Sequence, residues 1–345
     1  MRIALDATYS TDPQPSGIGV YSQEILNGLV RAYPQDGYVF CYRWKQWRRS
    51  SGRLPSNVRR RLLQPGLPTF QADVFHALNQ RVDKRPGGKV VSTFHDLFVM
   101  TGDYSSLEFK ERFTEQARRA AENSDIVIAV SEFTAGQVSS LLGVERSRIR
   151  VIPHGVRQGR PAEKLKRERI ILSVGTLQKR KNTARLVEAF EGLPHDWRLV
   201  LAGSPTGYGA AEALQRIEKS RSRERIQVTG YLSAAELEGL YRKASIFAFP
   251  SLDEGFGIPV LEAMANGLPV VASNRSALPE VTGDAALLVD PLQTQQLRTA
   301  LRNLISSEDL REKLSSAGRN RAHLFTWDRA VRETYQVYEE LVSSK

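Results

Sequence analysis

Short apolar runs rich in Val, Ile, Leu and Phe recur along the chain without alternating with polar positions. In the first half they are Ile3–Ala7, Val39–Tyr42, Val74–Leu78, Val90–Phe94 and Ile126–Val130. In the second half they are Ile170–Val174, Arg198–Ala202, Ile226–Thr229, Ile246–Pro250, Pro269–Ala272 and Ala286–Val289. Strands of a parallel sheet read this way when helices cover both faces. Helical patterns lie between the runs, at Tyr21–Ala32, Leu107–Glu122, Glu132–Leu142, Thr183–Gly192, Ala234–Ala244 and Gln293–Ser306. Ser233, with Glu236 three residues on, reads as a capping box. The last helix, Trp327–Leu341, repeats Val331, Tyr335, Tyr338 and Leu341 at helical spacing, so it packs on something.

The strand–helix alternation restarts after residue 168, behind a polar, basic connector between Val156 and Glu168. The pattern predicts an α/β chain of two doubly wound, Rossmann-like domains, 1–160 and 161–345. They are expected to face a cleft at the carboxyl ends of their strands, with the last helix packing back across to the first domain. A length of 345 residues fits two domains. No run approaches the ~18 apolar residues of a spanning helix. Met1-Arg2-Ile3-Ala4-Leu5-Asp6 reads as a buried strand rather than a signal segment, so a cytoplasmic location is expected. A single cysteine, Cys41, excludes an internal disulfide and a multi-cysteine zinc site.

Charge alters the picture in one place. Of the formal +11, a net +10 falls between Arg43 and Lys89, with 12 basic residues against Asp73 and Asp83. A local basic segment on an otherwise balanced chain suggests a docking surface. Within it, Trp44, Trp47, Arg59, Arg60 and Arg61 form a candidate patch for an acceptor or an anionic membrane. Gly52 and Pro55 break it into a loop and a short helix, Ser56–Gln64. A solvated basic face is the plain alternative. Aromatics among cations also stack bases, but no nucleic-acid partner is expected.

The densest signal runs from Pro250 to Ala263, PSLDEGFGIPVLEA. A strand ends, a glycine-flanked loop follows, and a helix opens with Pro259 in its first turn, where a missing N–H costs nothing. Gly255 and Gly257 let backbone amides approach a ligand, and the amides of Gly255, Phe256, Gly257 and Ile258 face a helix start that favours negative charge. Glu254 and Glu262 flank the turn and can grip hydroxyls of a sugar and a ribose. By themselves they read rather as two solvated glutamates on a tight turn.

The whole string resembles the Glu-x7-Glu motif of retaining glycosyltransferases with the two-Rossmann GT-B fold. With Ala265–Ser273 and Ser276–Val281, most of the chain resembles glycosyltransferase family 4. That resemblance implies transfer of a sugar from a nucleotide diphosphate sugar to a hydroxyl, with retention. It implies that Glu254 holds the donor sugar and Glu262 the ribose. Gly17 and Gly19 of Ser16–Tyr21 match the family loop near the donor diphosphate. His95 resembles the family's active-site histidine, with Asp96 as support. Arg180 and Lys181, ahead of a helix, match cations that neutralise the leaving diphosphate. Many members carry Arg where this chain has Thr176, so Arg180 must serve as the second cation. Gly203, Gly230, Tyr231 and Leu232 lie where the family places the base. His154 and His195 read as structural or exposed.

No Asp-x-Asp motif appears, so neither metal nor cofactor is expected. The leaving phosphate is expected to take the acceptor proton, and no side-chain nucleophile is assigned. The Val174–Leu177 and Ser276–Val281 strings resemble mannosyltransferases of bacterial O-antigen and exopolysaccharide pathways. GDP-mannose is the expected donor, UDP- and dTDP-sugars the alternatives, and a glycan or lipid-diphosphate-linked acceptor the expected partner, at the inner face of the plasma membrane. A sugar-nucleotide epimerase of the same fold and a glycoside hydrolase are the rival enzymes.

Overall fold

The computed structural model describes residues 1–50, 53–63, 71–158 and 167–343. It divides into two compact units. The first holds Met1–Thr101, Ser106–Gly155 and the helix Trp327–Ser343; the second holds Gly102–Ser105 and Val156–Thr326. The passage between them thus falls at Gly155–Val156, and residues 159–166 of the expected connector lie outside the described residues.

The first unit is a seven-stranded sheet, β1 Arg2–Asp6, β2 Gly37–Tyr42, β3 Val58–Leu62, β4 Val74–Ala77, β5 Lys89–Phe94, β6 Ile126–Ala129 and β7 Ile149–Val151, ordered β3-β2-β1-β4-β5-β6-β7. Every pairing in it is parallel. The side chains explain the unalternating runs. Ile3 and Leu5 enter one core, with Tyr38 and Phe40; Ala4 enters the opposite core, with Val39 and Cys41. Both faces are apolar because both are covered.

The first core is closed by the helices Gly17–Ala32 and Trp327–Ser343. Val331, Tyr338 and Leu341 enter it at the predicted spacing. Tyr335 stacks on Tyr33 at 3.5 Å, and its hydroxyl donates to Asp36 at 2.7 Å. Asp36 also pairs with the amino terminus. The last helix is therefore part of the first unit's core.

The second unit is a six-stranded parallel sheet, β8 Ile170–Val174, β9 Arg198–Ala202, β10 Ile226–Gly230, β11 Ile246–Phe249, β12 Val270–Ser273 and β13 Ala286–Val289, ordered β10-β9-β8-β11-β12-β13. Strand order reverses between β1 and β4 in the first sheet and between β8 and β11 in the second. Loops diverge at such switch points and leave room for a ligand. The capping box at Ser233 and Glu236 is present.

One expectation is corrected. Ser56–Gln64 does not form a helix: Val58–Leu62 is an edge strand paired in parallel with β2, and Gln64 lies outside the described residues. Arg59, Arg60 and Arg61 are exposed on that edge. Positive charge on an edge strand discourages pairing with another chain, which gives these arginines a structural role. Trp47 packs against the first core and Arg60 lies over its ring, 5.3 Å from the centroid. Trp44 stands exposed.

Candidate active site

At the second switch point, the loops after β8 and β11 meet. The first runs Gly175–Asn182 and turns through a short 3-10 segment, Lys179–Lys181. The second runs from Pro250 to Gly257 and opens the helix Ile258–Ala265. Asn182, with a left-handed φ of 58°, fastens the two: its Nδ2 donates to Pro250 O at 3.0 Å and to Pro291 O at 2.7 Å. Leu252 N–H donates to Arg180 O at 2.8 Å.

This joins Glu254, Arg180 and Lys181 into one ion cluster. Arg180 Nη1 lies 2.7 Å from Glu254 Oε2, and Lys181 Nζ lies 2.6 Å from Glu254 Oε1. Arg180 Nη1 also donates to Asp253 O at 2.7 Å, and Lys181 Nζ sits 4.4 Å above the Phe249 ring. Burial alone would push the Glu254 carboxyl up; Arg180 and Lys181 outweigh it and hold it at about 2. Two cations face the Glu254 carboxylate in a largely desolvated setting, where fixed positive charge acts strongly on an arriving anion. Arg180 is the second cation beside Glu254, and Thr176 is exposed.

Glu254 is also held through its backbone. Its N–H donates to Ser276 Oγ at 3.0 Å, and its carbonyl accepts from Ala277 N at 3.2 Å. Glu262, just over one turn into the helix that Gly257 caps, accepts from Tyr241 Oη at 2.8 Å. Burial pushes its carboxyl up, against the pull of Tyr241 and Arg157. Gly255, Phe256 and Gly257 are buried at the turn and Ile258 is half-buried. Gly203 bridges Gly230 across the ends of β9 and β10, with Tyr231 exposed and Leu232 half-buried beyond.

In the first unit, Gly17 is exposed at the start of its helix, and Gly19 is buried where an added Cβ would lie 2.9 Å from Pro15 Cβ. His95 directly follows β5 and is buried, with Asp96 half-buried beside it. Its Nε2 lies 2.9 Å from Leu78 O and its Nδ1 lies 3.3 Å from His154 Nε2. His154, read from sequence as merely structural or exposed, is thus buried against the candidate site. A second buried chain runs from Tyr21 Oη to Thr93 Oγ1 at 2.9 Å, to His76 Nε2 at 2.8 Å, and from His76 Nδ1 to Tyr338 Oη at 2.6 Å.

Burial depresses all three histidines, His76 to about 3 and His95 to about 4, with His154 also well below the usual range. The unfolded chain protonates them near pH 6.5, so their contribution to stability is complete above that pH and is lost as pH falls toward 4. At pH 5 the loss is about 2 kcal/mol for His95 alone. Glu254 stays ionised throughout that window. Urea denaturation at pH 7 and pH 5 should resolve the drop; equal stabilities would refute buried neutral histidines.

Several side chains carry no sequence signal for the positions they take: Asn182 as a fastener, Phe249 under Lys181, Tyr241 on Glu262, and Ser276 behind Glu254. Asp6, at the end of β1, is another. It is fully buried, its Oδ1 accepts from Thr8, and its Oδ2 has no hydrogen-bond partner among the described residues. Among the described residues no group of three or more His, Cys, Asp or Glu side chains is arranged to hold a metal ion. No helix among them is long and apolar enough to cross a membrane.

Comparison with known proteins matches residues 16–160 to the family model Glycosyltransferase Family 4 and residues 157–321 to Glycosyl transferases group 1. The chain is 28% identical over 368 residues to O-antigen chain mannosyltransferase B of Escherichia coli, covering 94% of this chain and 96% of that protein. It is 32% identical over 239 residues to the MMP alpha-(1->4)-mannosyltransferase of Mycolicibacterium hassiacum, covering 67% of this chain and 58% of that protein. Among solved structures, sucrose-phosphate synthase from Thermosynechococcus elongatus matches 100% of both chains with a TM-score of 0.81 at 21% identity, a likeness of fold.

Proposed function

Because this chain belongs to the GT-B glycosyltransferases that join a family 4 domain to a group 1 domain, we propose that it transfers mannose from GDP-mannose to a hydroxyl of a glycan or lipid-linked acceptor. The names of its relatives, an O-antigen chain mannosyltransferase above all, favour mannose and cell-surface polysaccharide synthesis. The observation that carries the chemistry is the Arg180–Glu254–Lys181 cluster at the second switch point. Breaking the anomeric C–O bond leaves negative charge on the diphosphate, and fixed cations stabilise that charge more in the transition state than before it. Glu254 then turns one carboxylate oxygen toward the donor sugar while the other keeps its cation, and Glu262 takes the ribose.

The acceptor oxygen forms the new bond on the face the leaving group departs from, so configuration is retained. Its proton passes to the departing phosphate oxygen. Both ring nitrogens of His95 are engaged within the protein, which favours this route over a histidine base. Arg180 and Lys181 supply the charge that a divalent ion would otherwise supply.

Calorimetry with GDP-, UDP-, ADP- and dTDP-sugars should select GDP-mannose. NMR of the product should find a new α-glycosidic bond, formed equally well with chelator present. Tighter binding of a UDP- or dTDP-sugar would replace the donor. Turnover lost to chelator would end metal independence, an inverted product would end retention, and an epimerised donor without acceptor would end the transferase reading of this site.

A further inference from the structure

We propose that His154 is a positioning residue that locks His95 as the neutral Nε2–H tautomer with a fixed ring orientation. The hydrogen-bond geometry carries the assignment. Leu78 O, 2.9 Å from His95 Nε2, can only accept, so Nε2 bears the proton. In the neutral ring Nδ1 then presents a lone pair, and it faces His154 Nε2 at 3.3 Å. Two lone pairs would repel at that distance, so His154 Nε2 donates. The rings lie nearly parallel, 15° apart with centroids 5.2 Å from each other.

The fold holds this pair from several sides. His95 follows β5, Leu78 follows the adjacent β4, and His154 follows β7, in the Ile152–Val156 segment. Tyr21 presents its ring edge-on to His95 at 4.8 Å and to His154 at 5.0 Å. Trp327, at the start of the last helix, lies 6.0 Å from His154. The hydroxyl of Tyr21 is held in turn by Thr93. A side chain whose partners are this well fixed keeps one orientation, which a preorganised site requires.

The lock has a chemical consequence. With Nε2–H on a carbonyl and Nδ1 on a donor, His95 neither gives nor takes the proton of the acceptor hydroxyl. It offers an uncharged ring of fixed placement at the end of β5.

The primary test is spectroscopic and uses the whole protein without substrate. Long-range proton–nitrogen correlation on histidine-labelled protein should show His95 as the pure Nε2–H tautomer at pH 7. A charged His95, or the Nδ1–H form, overturns the proposal. His154→Gln places an amide donor where Nε2 stands, whereas His154→Met fills similar space without a donor. The Met variant should give a mixed tautomer signal and the Gln variant should restore the single one. Identical spectra for the two variants overturn the proposal.

The kinetic arm rests on the transfer reaction proposed above. There His154→Met should lower kcat about tenfold or more with donor KM nearly unchanged, and His154→Gln should recover most of it. Equal kcat in the two variants would show that packing, not the hydrogen bond, matters. Should His154→Met not fold, the wild-type spectrum and the Gln variant still decide. Absence of transfer with every donor would defeat the reaction while leaving the tautomer result standing.

Discussion

Lys181→Met should lower kcat/KM by about 10²–10³, the ~3–4 kcal/mol that a preorganised charge-stabilising group contributes. Methionine retains an unbranched stem, while the ammonium that lies 2.6 Å from Glu254 and 4.4 Å over the Phe249 ring disappears. What remains beside Glu254 is the Arg180 guanidinium. The cluster loses one of its two cations and with it much of its attraction for a developing diphosphate. Glu254 keeps Arg180 at 2.7 Å, so the carboxylate stays ionised and the fold should hold. Steady-state kinetics with the donor chosen by calorimetry, alongside thermal unfolding, separates the two effects. A loss of activity below about tenfold in a stable variant would place Lys181 away from the developing charge.

Gly203→Ala should destabilise the second unit by at least ~4 kcal/mol, among the most severe single substitutions available to the chain. The residue has a φ of 157°, and an added Cβ would lie 2.1 Å from Gly175 O, 2.4 Å from Gly175 C and 2.9 Å from Thr176 N. All three are backbone atoms of the loop that leads to Arg180 and Lys181, so relief requires moving that loop. Gly230→Ala is the control. Its φ of 74° is also left-handed, but no atom of the described residues lies within 4 Å of the added Cβ. It should cost only the ~1–2 kcal/mol of the backbone conformation. Thermal unfolding of the two variants gives the comparison, and equal midpoints would remove the steric explanation.

Most of the sheet was legible because parallel strands covered on both faces must be apolar at every position. Ile3–Leu5, Val90–Val91 and Ile246–Phe249 read as strands for that reason. The edge strand Val58–Leu62 was read as a helix because its centre is three arginines, and an edge exposed to water carries no apolar signature. β7, Ile149–Val151, is too short to stand out. Two further helices, Ala210–Glu218 and Glu308–Ala322, were not picked out: the first is short, nine residues, and the second buries only Leu314, Gly318 and Ala322 over fifteen.

The candidate site divides in the same way. The Pro250–Ala263 string is local: strand end, glycine turn, Pro259 and two carboxylates follow one another, so the sequence alone marks it. Sequence also set the two-unit α/β architecture, the family and the confinement of nearly all the net charge to residues 43–89. It assigned Glu254 to a sugar and Arg180 with Lys181 to a phosphate as separate roles.

Only the tertiary structure joined those three into one cluster, because a crossover connection lays β11 beside β8 and brings together side chains 73 positions apart in the chain. It likewise set His154 against His95, 59 positions away, and turned a run of basic residues into a charged sheet edge. Hydrophobic periodicity records which face of an element is covered. It carries no information about which covered elements become neighbours, and the chemistry of this site depends on that adjacency.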